Sequence, residues 1–145
     1  MTEPWQGIRL SVLSDPRYLE PIRTVVRETC DLAELSEEKA GEVVLAVQEA
    51  LANVIRHCYK NDPGLRIDLC LTLSVDRLEI RIDDFGRFVD SSRMKGRALE
   101  DVRPGGLGIH FMRKVMDEVR YETSAGGGTV VTMVKLLGGA GGGEW

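Results

Sequence analysis

The 145-residue chain has no apolar run near the roughly 20 residues that a membrane-spanning helix needs. Its first ten residues, MTEPWQGIRL, carry an acid and no apolar h-region, so they do not read as a secretion signal. Cysteine is scarce: Cys30, Cys58 and Cys70 are odd in number and scattered, with no CxxC pair. That argues against a disulfide framework or a zinc site, and for buried, reduced thiols in a cytoplasmic protein. Positive charge is not in excess either. The formal net charge is −4, which leaves no electrostatic footprint for DNA or RNA. What is there is ordinary: 43% hydrophobic and 29% charged residues, enough for one globular domain with a proper core.

Periodicity divides the chain. Ile8, Leu10 and Val12 alternate with polar residues and predict a strand over 7–13. Asp15 or Ser14 can cap a first helix with Pro16 in its first turn, running to about Asp31 with Leu19, Ile22, Val25 and Val26 inward. Ser36 suits the N-cap of a second helix that continues to Tyr59, before the breaker Asn61-Asp62-Pro63-Gly64. Two alternating stretches, 65–73 and 77–82, flank Val75-Asp76 and predict an antiparallel hairpin. From Asp83 to Gly106 the periodicity stops, and so long a connection is usually functional or mobile. A helix over 107–119 and strands over 119–123 and 129–137 complete the pattern, with Met112 and Met116 in the core. The expected fold is a two-layer α+β sandwich: three helices on a mixed, mostly antiparallel sheet. It spans residues 1–137, with a flexible glycine-rich tail over 138–145.

The second helix is unusual. Glu49, Asn53 and His57 follow one another at intervals of four inside the run VVLAVQEALANVIRHCY. At about 100° per residue, a step of four turns a helix by only about 40°, so the three share one stripe. A carboxylate, an amide and an imidazole beside an apolar face form either a site wall or a solvated edge. Elsewhere Asp84-Phe85-Gly86 follows the hairpin, Gly105-Gly106-Leu107-Gly108 opens a helix, and Gly128-Thr129 opens the last strand. Glycines at a helix start leave N–H groups free to face an anion. No GK[ST] follows them, so this is not a Walker A loop.

Taken together, these four segments resemble the boxes of the GHKL ATPase superfamily over about residues 8 to 137. Glu49 to Asn53 with His57 looks like the N box. Asp84-Phe85-Gly86 and Gly106-Leu107-Gly108-Ile109 look like the two glycine boxes, and Gly128-Thr129 looks like the last. Within that superfamily the chain is most similar to the anti-sigma-factor serine kinases. The run Asp84-Phe85-Gly86-Arg87-Phe88-Val89-Asp90 and the run GLGIHFMRKVMDEV carry that likeness. It departs from the broad pattern at Phe88, where a second glycine is usual, and that bears on the lid over the nucleotide.

The resemblance implies bound ATP and Mg²⁺, with Glu49 as general base and Asn53 as metal ligand. It implies that Asp84 accepts from the adenine amino group while Gly86 lets the backbone approach the base. Gly106, Leu107 and Gly108 would offer N–H groups to the phosphates, and Thr129 would support the adenine pocket. His57 would hydrogen-bond behind the ligands. The partners implied are a sigma factor and a STAS-type antagonist phosphorylated on serine, with the kinase acting as a homodimer. An alternative is a nucleotide-gated binding module without useful kinase activity. Arg93, Lys95, Arg97 and Arg103 make the long loop basic; a solvated loop explains them slightly better than a charge-neutralising lid. Trp5 reads as surface packing.

Overall fold

The computed structural model describes residues 7–86, 106–124 and 126–137. In chain order these form β1 (Ile8–Leu13), a 3-10 turn (Pro16–Tyr18), α1 (Leu19–Leu32), α2 (Glu37–Asn53), β2 (Arg66–Leu73), β3 (Arg77–Asp84), α3 (Gly106–Val115), β4 (Glu118–Thr123) and β5 (Thr129–Leu136). The five strands make one sheet in the order β1-β2-β3-β5-β4, antiparallel at every pairing among the described strands. The expected α+β layering is therefore present, with an antiparallel sheet rather than a mixed one.

α2 is the middle helix, packed between α1 and α3. Its Val43, Val47 and Leu51 are buried with Val26 of α1 and Met112 of α3, over Leu69, Leu71, Ile80, Ile82, Val131 and Met133 of the sheet. Each such side chain contributes about 1.5–3 kcal/mol by leaving water, so the α2 seam dominates the core. Ser36 caps it: the Lys39 N–H donates to Ser36 Oγ at 3.1 Å, and Glu37 and Glu38 sit at the positive end of the helix.

Four boundaries differ from the sequence expectation, each for a local reason. Asp15 caps a 3-10 turn, accepting from the Arg17 N–H at 2.9 Å, and α1 proper starts only at Leu19. The second helix stops being α-helical after Asn53 and passes through one π turn, Val54–Cys58. There the Tyr59 N–H donates to Val54 O, five residues back, at 2.8 Å. The wider turn brings Tyr59 inward, where it is fully buried. β3 runs on through Asp83 and Asp84 because Ile67 on one side and Val130 on the other extend its ladders. α3 ends at Val115: the Asp117 N–H goes to Val134 O, and Asp117 Oδ2 accepts from the Leu136 N–H at 2.7 Å. Asp117 thus joins the sheet edge, and Val119 is buried as part of β4 instead of the helix. Met112 and Met116 are in the core, as expected. Among the described residues no helix is long and apolar enough to cross a membrane.

Candidate functional site

The site starts from the end of β3. Asp84 is its last residue and is 1% exposed. Asp84 Oδ1 accepts two backbone N–H bonds, from Gly86 at 3.0 Å and from Thr129 at 3.2 Å. The two loops that supply them can touch only because they are glycine. Gly86 has φ +73°, and a β-carbon on it would lie 3.1 Å from Gly127 O. A β-carbon on Gly128 would lie 2.8 Å from Phe85 Cα. Tyr59 fixes the same corner from below. Its hydroxyl accepts from the Phe85 N–H at 2.9 Å and donates to Arg66 O at 2.5 Å. Burial pushes the Asp84 carboxyl up to about 6, against the N–H groups of Thr129 and Gly86 and the Cys58 thiol, which favour its charged form.

Asp84 Oδ2 has no hydrogen-bond partner, and neither do Thr129 Oγ1, Tyr121 Oη or the two amide atoms of Asn53. All of these side chains are at most partly exposed; Asn53 is at 3% and Thr129 at 6%. They line one small cavity of about 10 Å³, together with Cys58, Ala50, Val54, Ile82 and Val131. Leaving one such group unpaired costs about 1–3 kcal/mol. Four such side chains meet around one space of about 10 Å³, the room of a single water molecule. The polar groups that meet there are a carboxylate oxygen that accepts and a hydroxyl beside it.

One turn earlier on α2, Glu49 is half-buried and lies against α3. A β-carbon on Gly108 would clash with Glu49 Oε1 and sit 3.3 Å from its Cδ. α3 begins at Gly106, so the backbone N–H groups of its first turn, Gly106, Leu107 and Gly108, have no partner within the helix. Glu49 and Asn53 are about 6 Å apart along the helix axis. The site therefore has two neighbouring parts, a polar cavity holding Asn53, Asp84 and Thr129 with Gly86 at its edge, and a carboxylate beside a helix N-terminus. Among the described residues no group of three or more His, Cys, Asp or Glu could cage a metal ion. Mg²⁺ bridging phosphates does not need a cage, since one or two protein oxygens suffice. The unpartnered Asn53 Oδ1 fits that requirement.

His57 is not part of the cavity lining. It sits in the π turn, half-buried; Glu49 is outside the lining too, so of the stripe expected for Glu49, Asn53 and His57 only Asn53 reaches the cavity. Phe88, the four basic loop residues, Trp5 and the glycine tail lie outside the described residues. Tyr59, Cys58 and Tyr121 belong to the site but were not expected there. Tyr121 had a readable signal, since two residues after buried Val119 on β4 it lies on the same face. Cys58 is half-buried in the cavity wall, not a core thiol like Cys30, whose pKa burial pushes up to about 11. A larger surface groove, about 710 Å³, runs between α1 and α2, lined by Glu20, Arg27, Glu42 and Gln48 among others. Among the described residues it holds none of the unpartnered buried atoms.

Residues 12–135 match the family described as the histidine kinase-like ATPase domain. The chain is 27% identical over 140 residues to the serine-protein kinase RsbW of Bacillus subtilis, covering 91% of this chain and 86% of that protein. It is 29% identical over 147 residues to RsbW of Bacillus pumilus, covering 94% and 90%. Among solved structures, the RsbU and RsbW domains of Rv1364c from Mycobacterium tuberculosis superpose with a TM-score of 0.62 at 16% identity, over 92% of this chain and 32% of that one. The SiaB-SiaC complex from Pseudomonas aeruginosa gives a TM-score of 0.59 at 10% identity, over 89% of each chain. These two structural likenesses speak to the fold.

Proposed function

The chain belongs to the histidine kinase-like ATPase domain family, and from that premise we propose that it is an ATP-dependent protein serine kinase that also acts as an anti-sigma factor. It binds adenine at Asp84 and Thr129, with Gly86 allowing the backbone close to the base. Asn53 holds Mg²⁺, which neutralises phosphate charge when bound. The N–H groups of Gly106, Leu107 and Gly108 meet the phosphates at the α3 N-terminus. Glu49 would take the proton from the serine hydroxyl of a STAS-type antagonist as that oxygen bonds to the terminal phosphorus of ATP, the bond from that phosphorus to the bridging oxygen breaks, and ADP leaves. The same protein, as a cytoplasmic homodimer, sequesters a sigma factor.

The observation that carries this reading is the cavity itself: Asn53, Asp84 and Thr129 come from three separate elements and converge with unpaired polar atoms. The likeness to serine-protein kinases named RsbW supports the acceptor class. The test is transfer of labelled phosphate from Mg²⁺–ATP to a serine of the cognate antagonist. Glu49→Ala should keep ATP binding and lose transfer by roughly 10²–10⁴-fold, the range of general-base catalysis. Transfer at the normal rate by that variant overturns the base assignment. Regulation of the partner that persists without transfer favours the nucleotide-gated binding module.

A further inference from the structure

We propose that Cys58 is a modification site in the wall of the nucleotide site: its sulfur forms a mixed disulfide with a small thiol compound, and that adduct and ATP exclude one another. The inference rests on the reading of Asp84 and Thr129 as the adenine-binding corner. Cys58 closes the π turn Val54–Cys58 and lines the cavity with Asn53, Asp84 and Thr129. Each of those three is more than nine-tenths buried and carries a polar side-chain atom without a partner. Cys58 itself is only half-buried, so a small reagent can reach the wall there. The other two thiols differ. Cys30 is fully buried in the core. Cys70 is half-buried too, but it alternates with buried Leu69 and Leu71 on β2. It therefore faces the other side of the sheet, between Arg9 of β1 and Arg81 of β3.

In the step, the Cys58 sulfur bonds to one sulfur of a low-molecular-weight disulfide, the S–S bond of that compound breaks, and its other half leaves as a thiolate. Cys58 is oxidised and the small disulfide is reduced, so an added reducing thiol reverses the change. The space beside Cys58 is about 10 Å³, the room of one water, and a methylthio group is larger than a water. The adduct therefore either fills the space in front of Asp84 and Thr129 or forces the wall away from them. The wall does not yield freely. The next residue, Tyr59, is buried, and its hydroxyl is bonded to Arg66 O and to the Phe85 N–H. Either way the corner that takes the base is lost while the group stays on.

The probe is methyl methanethiosulfonate, which leaves a methylthio group on sulfur and releases methanesulfinate. Peptide mass spectrometry follows labelling of Cys58 and Cys70, with and without Mg²⁺–ATP at about 100 times its Kd. Titration calorimetry and ligand-free melting are run before and after labelling. The expected result is that ATP slows labelling of Cys58 about a hundredfold, the factor for mutually exclusive binding, and leaves Cys70 unaffected. The adduct binds ATP at least about tenfold more weakly, still melts cooperatively without ligand, and regains its affinity in dithiothreitol. Cys58→Ala, compared with itself before and after the reagent, shows no fall in affinity. The inference is overturned by an unlabelled Cys58, by labelling that ATP does not slow, or by an adduct that binds ATP normally or no longer melts cooperatively. A fall that persists in Cys58→Ala overturns it as well. Untreated protein that does not bind Mg²⁺–ATP overturns the adenine reading and the inference with it, whereas untreated protein that binds ATP beside any of the other outcomes leaves that reading standing and removes the Cys58 site alone.

Discussion

The Glu49 carboxylate on α2 occupies the place where a side chain on Gly108 of α3 would begin. A β-carbon there would collide with Glu49 Oε1, the free end of a flexible side chain, and with nothing on the backbone. Gly108→Ala is therefore tolerable for the fold. Within a helix it even removes a glycine penalty of about 0.5–1 kcal/mol. The carboxylate has to swing away. The expected outcome is a melting temperature at or above that of the parent and a fall in serine phosphorylation of at least about tenfold, since proton transfer depends on hydrogen-bond reach. Stability and phosphotransfer assays on the same preparation check it, and a variant that is both stable and fully active contradicts it.

Asp84 links function to a stability penalty that depends on pH. Its carboxyl is raised from 3.8 to about 6, mainly by burial. The folded state therefore holds the proton more tightly than the unfolded chain. That contribution to stability is fully present below about pH 4 and is lost as pH rises through about 6. The gap amounts to ~3 kcal/mol against the ionised folded form at neutral pH. Asp84→Asn keeps an oxygen for the Gly86 and Thr129 N–H groups and carries no charge. It should be more stable than the parent at pH 7.5 by up to that amount, with the difference vanishing near pH 4. It should also bind ATP far more weakly, because the acceptor facing the base is replaced by a donor. Urea denaturation at several pH values, with ATP titration at pH 7.5, measures both.

The sequence carried most of this architecture because the periodicities are clean. Leu69, Leu71, Ile80 and Ile82 alternate, and Val43, Val47 and Leu51 fall on one helical face, so the two layers were legible. Glu49 and Asn53 were legible as a pair for the same reason. The π turn that carries His57 was not legible because it is held by Tyr59, whose hydroxyl bonds Arg66 at the start of β2 and Phe85 after β3. Asp84 was assigned to a loop because a second carboxylate at a strand end looks like a turn. Its place is fixed instead by the register with Ile67. Cys58 entered the site through packing across elements, which no local pattern encodes, whereas Tyr121 shares the face of buried Val119 two residues before it.

The corner at Asp84 depends on glycine differently from the corner at Glu49. On Gly128 an added β-carbon would meet backbone, 2.8 Å from Phe85 Cα and 2.9 Å from Asp84 C, and neither can move away without parting β3 from β5. Gly128→Ala should cost about 1–3 kcal/mol, the usual penalty of overpacking, and weaken ATP binding with it. Gly126, two residues earlier, has nothing within 4 Å of its added β-carbon. Gly126→Ala is the matched control and should be neutral or slightly stabilising. Equal denaturation midpoints for the two variants would refute the backbone-contact argument.

Tyr59 offers the sharpest contrast with Asp84. Its hydroxyl is the single group that joins the Arg66 carbonyl at the start of β2 to the Phe85 N–H after β3, at 2.5 Å and 2.9 Å. Tyr59→Phe keeps the ring that fills the core under the π turn and leaves both backbone groups without that partner. The expected loss is about 1–3 kcal/mol, the range for orphaning buried polar groups. Burial pushes the Tyr59 phenol up to about 12, so it keeps its proton throughout the neutral range. The destabilisation should therefore be the same at pH 6 and pH 8, where the effect of Asp84→Asn changes. Loosening Phe85 should also loosen Gly86 and with it one of the two N–H bonds to Asp84 Oδ1, so ATP affinity should fall while the Mg²⁺ dependence stays intact. Denaturation at the two pH values and ATP titration with and without Mg²⁺ separate this variant from Asp84→Asn. A selective loss of the Mg²⁺ effect in Tyr59→Phe would mean that the π turn positions Asn53 as well as the base-binding corner.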